Sequence, residues 1–197
     1  WKIVKLKGNI KFVKGKKPKI IFKEKSDELS KYLTINVLSG KDYLYAHPKS
    51  VILAEKDNIL MVMDGASSGK IYFGANGIVA STLAKVEILN NDLSTEYVYH
   101  FLKYNENEIN NHTTGSAIPH TDKNFVLSLK IALPDTNDIM FSKFNKAIGS
   151  IENKIIQNND ENKRLAKIRD SLLPKLMSGE IRVPINDKEG DEQLCKK

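Results

Sequence analysis

Four separate stretches of the sequence carry side chains suited to binding an anionic ligand. Gly15-Lys16-Lys17-Pro18 follows Lys14, and its turn residues would expose the lysines on a constrained loop. Two glycine turns, 64–69 and 74–77, carry serine, lysine and asparagine side chains. The loop 112–120 is rich in hydroxyl groups and small residues, which commonly approach a ligand but also occur in plain connections.

The charge distribution favours a polyanionic partner. The chain of 197 residues has a formal net charge of +7, and residues 1–25 hold ten lysines against one acidic residue, Glu24. A basic segment on an otherwise balanced chain indicates binding to a phosphate backbone. The alternative is that these lysines only keep the protein in solution.

Catalytic and metal-binding patterns are incomplete in this sequence. The stretch 65–71 has three residues between its glycines where a phosphate loop has four, and Ile71 replaces the Ser or Thr that holds magnesium. The histidines and the single cysteine lack metal-site spacing, although His112 and His120 flank one loop, where a metal ion or a general base is an alternative. We also find no glycine-rich turn for S-adenosylmethionine or a dinucleotide, and no Gly-x-Ser-x-Gly nucleophile turn. The sequence therefore favours binding over catalysis and disfavours a self-contained nuclease or methyltransferase.

The elements that must position these side chains are short strands joined by tight turns. Residues 32–37 have the β-branched and aromatic content of a strand, and residues 59–89 predict a hairpin-rich β unit. Ser94 predicts the N-cap of a helix over 95–108, whose apolar side chains share one face. A further strand is expected over 127–133, ended by Pro134.

One long helix is expected after this β-rich part. Residues 138–173 contain no proline and only Gly149, and apolar residues alternate three and four positions apart, as in the seam of a coiled coil. Two copies running antiparallel about residue 160 would pair every a position with a d position, with Asn158 facing Asn162 to fix the register. The alternative is that the helix packs on its own domain. With Phe141 as position a, the predicted seam is Phe141, Phe144, Ile148, Ile151, Ile155, Asn158, Asn162, Leu165, Arg169, Leu172 and Leu176.

Length and composition predict an α+β fold with three parts. We expect a globular β-rich domain over 1–136, a long α-helix over 137–179 that forms an antiparallel coiled coil, and a C-terminal tail over 180–197. No apolar run reaches the length of a membrane span, and residues 1–4 lack the pattern of a signal peptide. The single cysteine, Cys195, cannot form an intrachain disulfide, which agrees with a reducing compartment. We expect a cytoplasmic protein without a membrane partner.

Three segments resemble the specificity subunit of type I restriction-modification enzymes. Residues 1–8, Trp-Lys-Ile-Val-Lys-Leu-Lys-Gly, with 15–18 downstream, resemble the opening of a target recognition domain in that family. Thr114-Gly115-Ser116 followed by 127–134 is similar to the segment that leads into the family's conserved helix. The ending 172–181, Leu-Leu-Pro-Lys-Leu-Met-Ser-Gly-Glu-Ile, is the most specific match. Residues 20–110 match in pattern only.

The resemblance implies a DNA-binding, non-catalytic protein. The recognition domain would read one half of a bipartite sequence in double-stranded DNA, and paired helices would set the distance between the halves. Methyltransferase and restriction subunits would dock on this scaffold and do the chemistry. No cofactor is expected on this chain, since S-adenosylmethionine would bind the methyltransferase.

This chain departs from the family in one respect. A complete subunit usually carries two recognition domains and two conserved helices, whereas this chain has one of each. The resemblance therefore implies a homodimer or pairing with a second recognition half, and it leaves open whether the chain is a natural half-subunit. A coiled-coil assembly or adaptor protein with a basic nucleic-acid-binding end is the alternative.

Two sets of residues carry these expectations. The first set would contact DNA, with the lysines nearest the amino terminus on phosphates and the others on base edges and sugar-phosphate. It comprises Lys14, Lys16, Lys17, Ser67, Ser68, Lys70, Asn76, Thr113, Thr114, Ser116 and His120. The second set would form the coiled coil and comprises Ile148, Ile151, Ile155, Asn158, Asn162, Leu165 and Leu172.

Overall fold

The computed structural model describes residues 1–115, 117–133, 135 and 138–182. Within these ranges the strands are β1 (Lys2–Lys5), β2 (Ile10–Lys14), β3 (Ser30–Leu33), β4 (Tyr45–Ala46), β5 (Leu53–Ala54), β6 (Ile59–Val62), β7 (Ile71–Tyr72), β8 (Gly77–Val79), β9 (Leu83–Ile88), β10 (Thr113–Thr114), β11 (His120–Thr121) and β12 (Lys130–Leu133). The helices are α1 (Ile35–Leu38), α2 (Thr95–Tyr104), α3 (Glu106–Asn111), α4 (Lys123–Ser128) and α5 (Ile139–Met177).

The chain divides into two units within the long helix. The first unit is Trp1–Glu152, and the second begins at Asn153. The first unit therefore includes the amino-terminal part of α5 as well as the β-rich domain. The predicted division at residue 136 stays a prediction. The predicted helix start at Asn137, the strand end at Pro134 and the tail from 183 onward, with Cys195, lie outside the described residues.

Two four-stranded sheets build the β-rich domain. The first sheet has the antiparallel order β2-β9-β6-β7, with Phe12 opposite Val86 and Ile59 opposite the same valine from the other side. The second sheet has the order β4-β3-β8-β5, in which β3 and β8 run parallel and the other neighbours are antiparallel. Strands β1 and β12 form a separate antiparallel pair, and β10 and β11 form a short hairpin.

Strand β6 lies between two hydrophobic cores. All four of its side chains are buried, which a strand can sustain only when both of its faces are covered. Ile59 and Met61 pack into a core that also holds residues of α2, α3, α4 and β12. Leu60 and Val62 point the other way, into the core of the second sheet.

The predicted strand over 32–37 is wrong in its second half. Strand β3 ends at Leu33, and Thr34 caps the short helix α1 because its Oγ1 accepts a hydrogen bond of 3.3 Å from the amide of Val37. The β-branched residues Thr34, Ile35 and Val37 favoured a strand, but a threonine whose hydroxyl accepts from the amide three residues ahead stabilises a turn of helix.

Two other predicted elements have different bounds in the structure. The predicted helix over 95–108 is two helices, α2 and α3, separated at Asn105, whose side-chain amide donates to the carbonyl of Phe101 at 2.7 Å. The Ser94 cap is confirmed, with a 3.2 Å hydrogen bond from Tyr97. The predicted strand over 127–133 begins only at Lys130, because Asp122 caps helix α4 through the amides of residues 124 and 125.

The amino-terminal part of α5 packs on α2. Phe141 is buried, and the ring of Tyr97 makes edge contacts with the rings of Phe141 at 5.5 Å and Phe144 at 6.2 Å. Further along, Glu152 is buried, with its Oε1 2.9 Å from Nε2 of His100. This part of α5 is therefore held by aromatic packing at its start and by a buried carboxylate at the end of the unit.

The second unit exposes apolar side chains along α5. Ile155, Leu165, Ile168, Leu172, Leu173 and Leu176 are all exposed by more than a third of their surface. The prediction of a β-rich α+β domain followed by a long helix is confirmed, since α5 runs for 39 residues. The antiparallel coiled coil stays a prediction. Within the described residues, no helix is both long and apolar enough to cross a membrane.

The packing of α2 can be tested with one buried and one exposed residue. Leu102 has no exposed surface, whereas Tyr104 on the same helix is 89% exposed. We expect Leu102→Ala to lower the free energy of unfolding by about 2–5 kcal/mol, because it leaves a cavity in the first core. Tyr104→Ala should change it by less than about 0.5 kcal/mol. Urea denaturation followed by circular dichroism measures both, and equal losses would contradict this assignment of the core.

Candidate nucleic-acid interface

A cleft of about 410 Å³ brings together three parts of the chain that are far apart in the sequence. The end of β2 contributes Lys14, and the residues after β6 contribute Met63 and Asp64. The β10–β11 hairpin and the start of α4 supply the rest of the lining, which is Thr114, His120, Thr121, Asp122, Lys123 and Asn124. The cleft is therefore lined by cationic, hydroxyl, amide and carboxylate groups.

Asp64 contacts both Lys14 and His120 in this cleft. One carboxylate oxygen, Oδ1, lies 2.8 Å from Nδ1 of His120, and the other, Oδ2, lies 3.0 Å from Nζ of Lys14. Burial of the carboxyl group raises its pKa, but the hydrogen bonds and charges of His120 and Lys14 outweigh burial and hold the pKa of Asp64 below its usual value. Asp64 is therefore ionised at neutral pH.

The hairpin that carries His120 is fastened to the end of β6. The amide of Thr121 donates to the carbonyl of Met63 at 2.8 Å, and the hydroxyl of Thr121 donates to the carbonyl of Val62 at 2.6 Å. The carbonyl of Pro119 accepts from the amide of Gly65 at 2.9 Å and from the hydroxyl of Ser68 at 2.8 Å. These bonds join the two segments, so the position of His120 relative to Asp64 is fixed by backbone structure.

Glycine is required at one turn of this hairpin. Gly115 has a φ of +91°, and a side chain there would place its Cβ 2.5 Å from the carbonyl oxygen of Ile118. The tight turn brings Thr114 and His120 into register as opposed residues of β10 and β11. The described residues of the hydroxyl-rich loop 112–120 therefore belong to the β10–β11 hairpin.

The structure brings some of the predicted DNA-contacting residues together and separates others. Lys14, Thr114 and His120 line the cleft, and Thr113 is the neighbour of Thr114 in β10. Among the described residues, the other predicted contacts lie outside its lining. These are Lys16 and Lys17, which are exposed on the loop after β2, together with Ser67, Ser68, Lys70 and the exposed Asn76. Ser116 lies outside the described residues.

Ser68 does not fit its predicted role. It is only 4% exposed, and its hydroxyl donates to the backbone carbonyls of Gly65 at 2.7 Å and Pro119 at 2.8 Å. A buried hydroxyl with backbone partners cannot reach a base edge, so a direct DNA contact by Ser68 is not compatible with this burial. Lys70 is exposed, and its Nζ lies 5.5 Å from the ring centre of Tyr72.

Six residues that line the cleft were not predicted as site residues, namely Met63, Asp64, Thr121, Asp122, Lys123 and Asn124. Asp64 was interpreted only as part of a turn, although a carboxylate directly after a buried strand is a signal for a functional edge. Lys123 and Asn124 follow the capping residue Asp122 at the start of α4. The sequence could have revealed them through the Asp cap, but no element was predicted between the loop 112–120 and the strand 127–133.

His112 is engaged away from His120. Its ring stacks on Phe125 with centres 3.8 Å apart, and its Nδ1 lies 3.0 Å from the carbonyl oxygen of Glu108. In the described part of the chain, no group of three or more His, Cys, Asp or Glu side chains could hold a metal ion.

The fold is shared with solved specificity subunits. The S subunit of a type I restriction-modification system from M. genitalium aligns with a TM-score of 0.59 at 17% identity, over 90% of this chain and 46% of that chain. The HsdS subunit from Thermoanaerobacter tengcongensis aligns with a TM-score of 0.54 at 16% identity, over 92% of this chain and 45% of that chain. At these identities the likeness concerns the fold alone.

Sequence comparison identifies the family. The pattern described as the type I restriction modification DNA specificity domain matches residues 1–169. The type I restriction enzyme MjaVIII specificity subunit of Methanocaldococcus jannaschii is 31% identical over 175 residues, which are 85% of this chain and 41% of that protein. The chain belongs to the family of type I restriction-modification specificity domains, and it spans less than half the length of this relative.

The structural role of Ser68 can be separated from a role in binding. Ser68→Ala should lower the free energy of unfolding by about 0.5–1.5 kcal/mol, because the buried hydroxyl loses the hydrogen bond that it shares between the carbonyls of Gly65 and Pro119. The matched change Ser67→Ala removes a hydroxyl that is partly exposed, and it should cost less than about 0.5 kcal/mol. Thermal and urea unfolding measure both variants. Full stability of Ser68→Ala would contradict the proposed anchoring of the hairpin.

Proposed function

We propose that this chain binds double-stranded DNA as one recognition half of a type I specificity subunit. The single observation that carries the proposal is that Lys14, Thr114 and His120, selected from separate parts of the sequence, line one cleft. Family membership supports DNA as the ligand, and the composition of the lining supports contacts to phosphate and base edges. The exposed Lys16 and Lys17, on the loop directly after Lys14, extend the cationic surface.

The chemistry of restriction and methylation belongs to other subunits in this proposal. The chain itself is non-catalytic and binds no cofactor, and S-adenosylmethionine binds the methyltransferase subunit. Methyltransferase and restriction subunits dock on the specificity subunit in the cytoplasm. Support for such an assembly comes from family membership and from the part of a longer relative that this chain matches.

The long helix pairs with a second recognition half in this proposal. An apolar stripe that one helix exposes to water is stabilised when it packs lengthwise against another helix. Ile155, Leu165, Leu172 and Leu176 are exposed members of the predicted seam. An antiparallel pair would place two recognition domains at a fixed separation, so each would read one half of a split site. The partner half is a second copy of this chain or the remainder of a longer subunit.

Lysines of the basic loop should act as phosphate anchors. We expect Lys16→Ala combined with Lys17→Ala to weaken binding to all DNA sequences alike and to reduce the slope of log affinity against log salt by about two units. Lys143→Ala with Lys146→Ala removes the same charge from the exposed side of α5 and serves as the control. Fluorescence anisotropy over a salt series measures the effect. A loss confined to one DNA sequence would mean that these lysines read bases.

The paired-helix proposal predicts a defined oligomeric state. We expect light scattering to give the mass of a dimer for the full chain and of a folded monomer when Ile148, Ile155 and Leu165 are changed to Asp, because charges in the seam lose the apolar contact. The control changes Lys146, Asn153 and Lys167 to Asp on the opposite face of the same helix. A wild-type monomer would indicate that the second half must come from a longer subunit. A dimer that does not bind duplex DNA would favour an adaptor protein.

A further inference from the structure

Asp64 is a carboxylate at the centre of a surface that is proposed to bind a polyanion. A negative charge at such a position repels phosphate and should weaken DNA binding through simple electrostatics. Its geometry indicates a different role. The Asp64 side chain is 25% exposed, whereas the Lys14 and His120 side chains that it contacts are 53% and 50% exposed. The two cationic groups therefore lie in front of the carboxylate, on the solvent side.

The imidazole of His120 is oriented by this contact. Nδ1 faces Oδ1 of Asp64, so the opposite ring nitrogen, Nε2, is left to face a ligand. A carboxylate that accepts from one ring nitrogen stabilises the protonated ring and directs the second N–H outward. The same carboxylate holds Nζ of Lys14 through its other oxygen, and an ammonium group has three donors, so Lys14 keeps donors for a second acceptor.

The other charged side chains that line the cleft do not take the role of Asp64. Asp122 and Lys123 are the other charged side chains in the lining, both at the start of α4. The Oδ1 of Asp122 accepts from the amides of Asn124 and Phe125 at 2.8 and 3.2 Å, so this carboxylate is used to cap the helix. Asp64 is the carboxylate that contacts both cations.

We propose that Asp64 is a positioning residue that holds Lys14 and His120 as a two-donor clamp for a DNA phosphate. This inference rests on the proposed DNA-binding function and specifies which contact the cleft makes. The backbone supports the clamp, because Asp64 and His120 pair directly as a β-bridge and Thr121 is bonded to Met63. A phosphate bound there would receive charge-assisted hydrogen bonds from two side chains whose positions are set before binding.

The proposal predicts whether the substitution Asp64→Asn strengthens or weakens DNA binding. Asp64→Asn removes a negative charge with little change in shape, and electrostatics alone would strengthen DNA binding. The clamp predicts the opposite, a loss of about tenfold or more in affinity, because the Asn amide orients neither the protonated ring nor the ammonium group. The control is Glu55→Gln, which removes one exposed negative charge outside the lining of the cleft and should leave affinity unchanged or slightly higher.

The measurement uses the full chain and a labelled duplex pool of random sequence, about three helical turns long, because a phosphate contact acts on every sequence. Asp64→Glu keeps a carboxylate at this position and should restore part of the affinity that Asp64→Asn loses, a rescue that a general loss of fold would not produce. Circular dichroism confirms that each variant is folded.

The outcomes separate the clamp from the wider proposal. If the wild-type chain does not bind duplex DNA in its dimeric form, the proposed function fails. If the wild type binds and Asp64→Asn binds equally well or more tightly, the function stands and the clamp is wrong. If Asp64→Asn does not fold, Lys14→Gln and His120→Asn decide, since the clamp requires that each of them lowers affinity for the random duplex pool.

Discussion

The burial of β6 on both faces is the constraint on which the rest of the first unit depends. Ile59 and Met61 fill one core, and Leu60 and Val62 fill the other, so a change at any of these positions affects a core directly. A strand buried in this way must have its backbone groups paired, and β7 and β9 supply those partners on its two edges. The two sheets and the helices α2 to α4 are arranged around this one strand.

The geometry of the candidate interface is set at the end of strand β6. Val62 and Met63 accept hydrogen bonds from Thr121, and Asp64 follows at once, where the chain leaves the interior. The β10–β11 hairpin is therefore placed by the most deeply buried element of the domain. A binding surface supported in this way loses little conformational entropy when a ligand binds. Residues that are distant in the sequence can form one cleft because the hairpin is anchored at this strand end.

The long helix has two different environments along its length. Near its start, Phe141 and Glu152 are buried against the domain, and their contacts with Tyr97 and His100 fix this part of α5. Beyond Asn153 the helix exposes its apolar stripe, which gains stability only from a partner helix. The proposed roles in DNA recognition and in helix pairing would therefore fall on different segments of one chain.

The sequence by itself determined the β-rich domain, the long helix and the family, because hydrophobic periodicity, turn residues and short motifs are local signals. It also predicted Lys14 as a phosphate contact and Thr114 and His120 as contacts to base edges and sugar-phosphate. Only the tertiary structure decided that these three share a cleft, that Ser68 is buried and that Asp64 joins the two cations. Such facts depend on contacts between segments 50 or more positions apart, as in the 56-residue separation of Asp64 and His120. The residues of one short segment do not specify which distant segment they will contact.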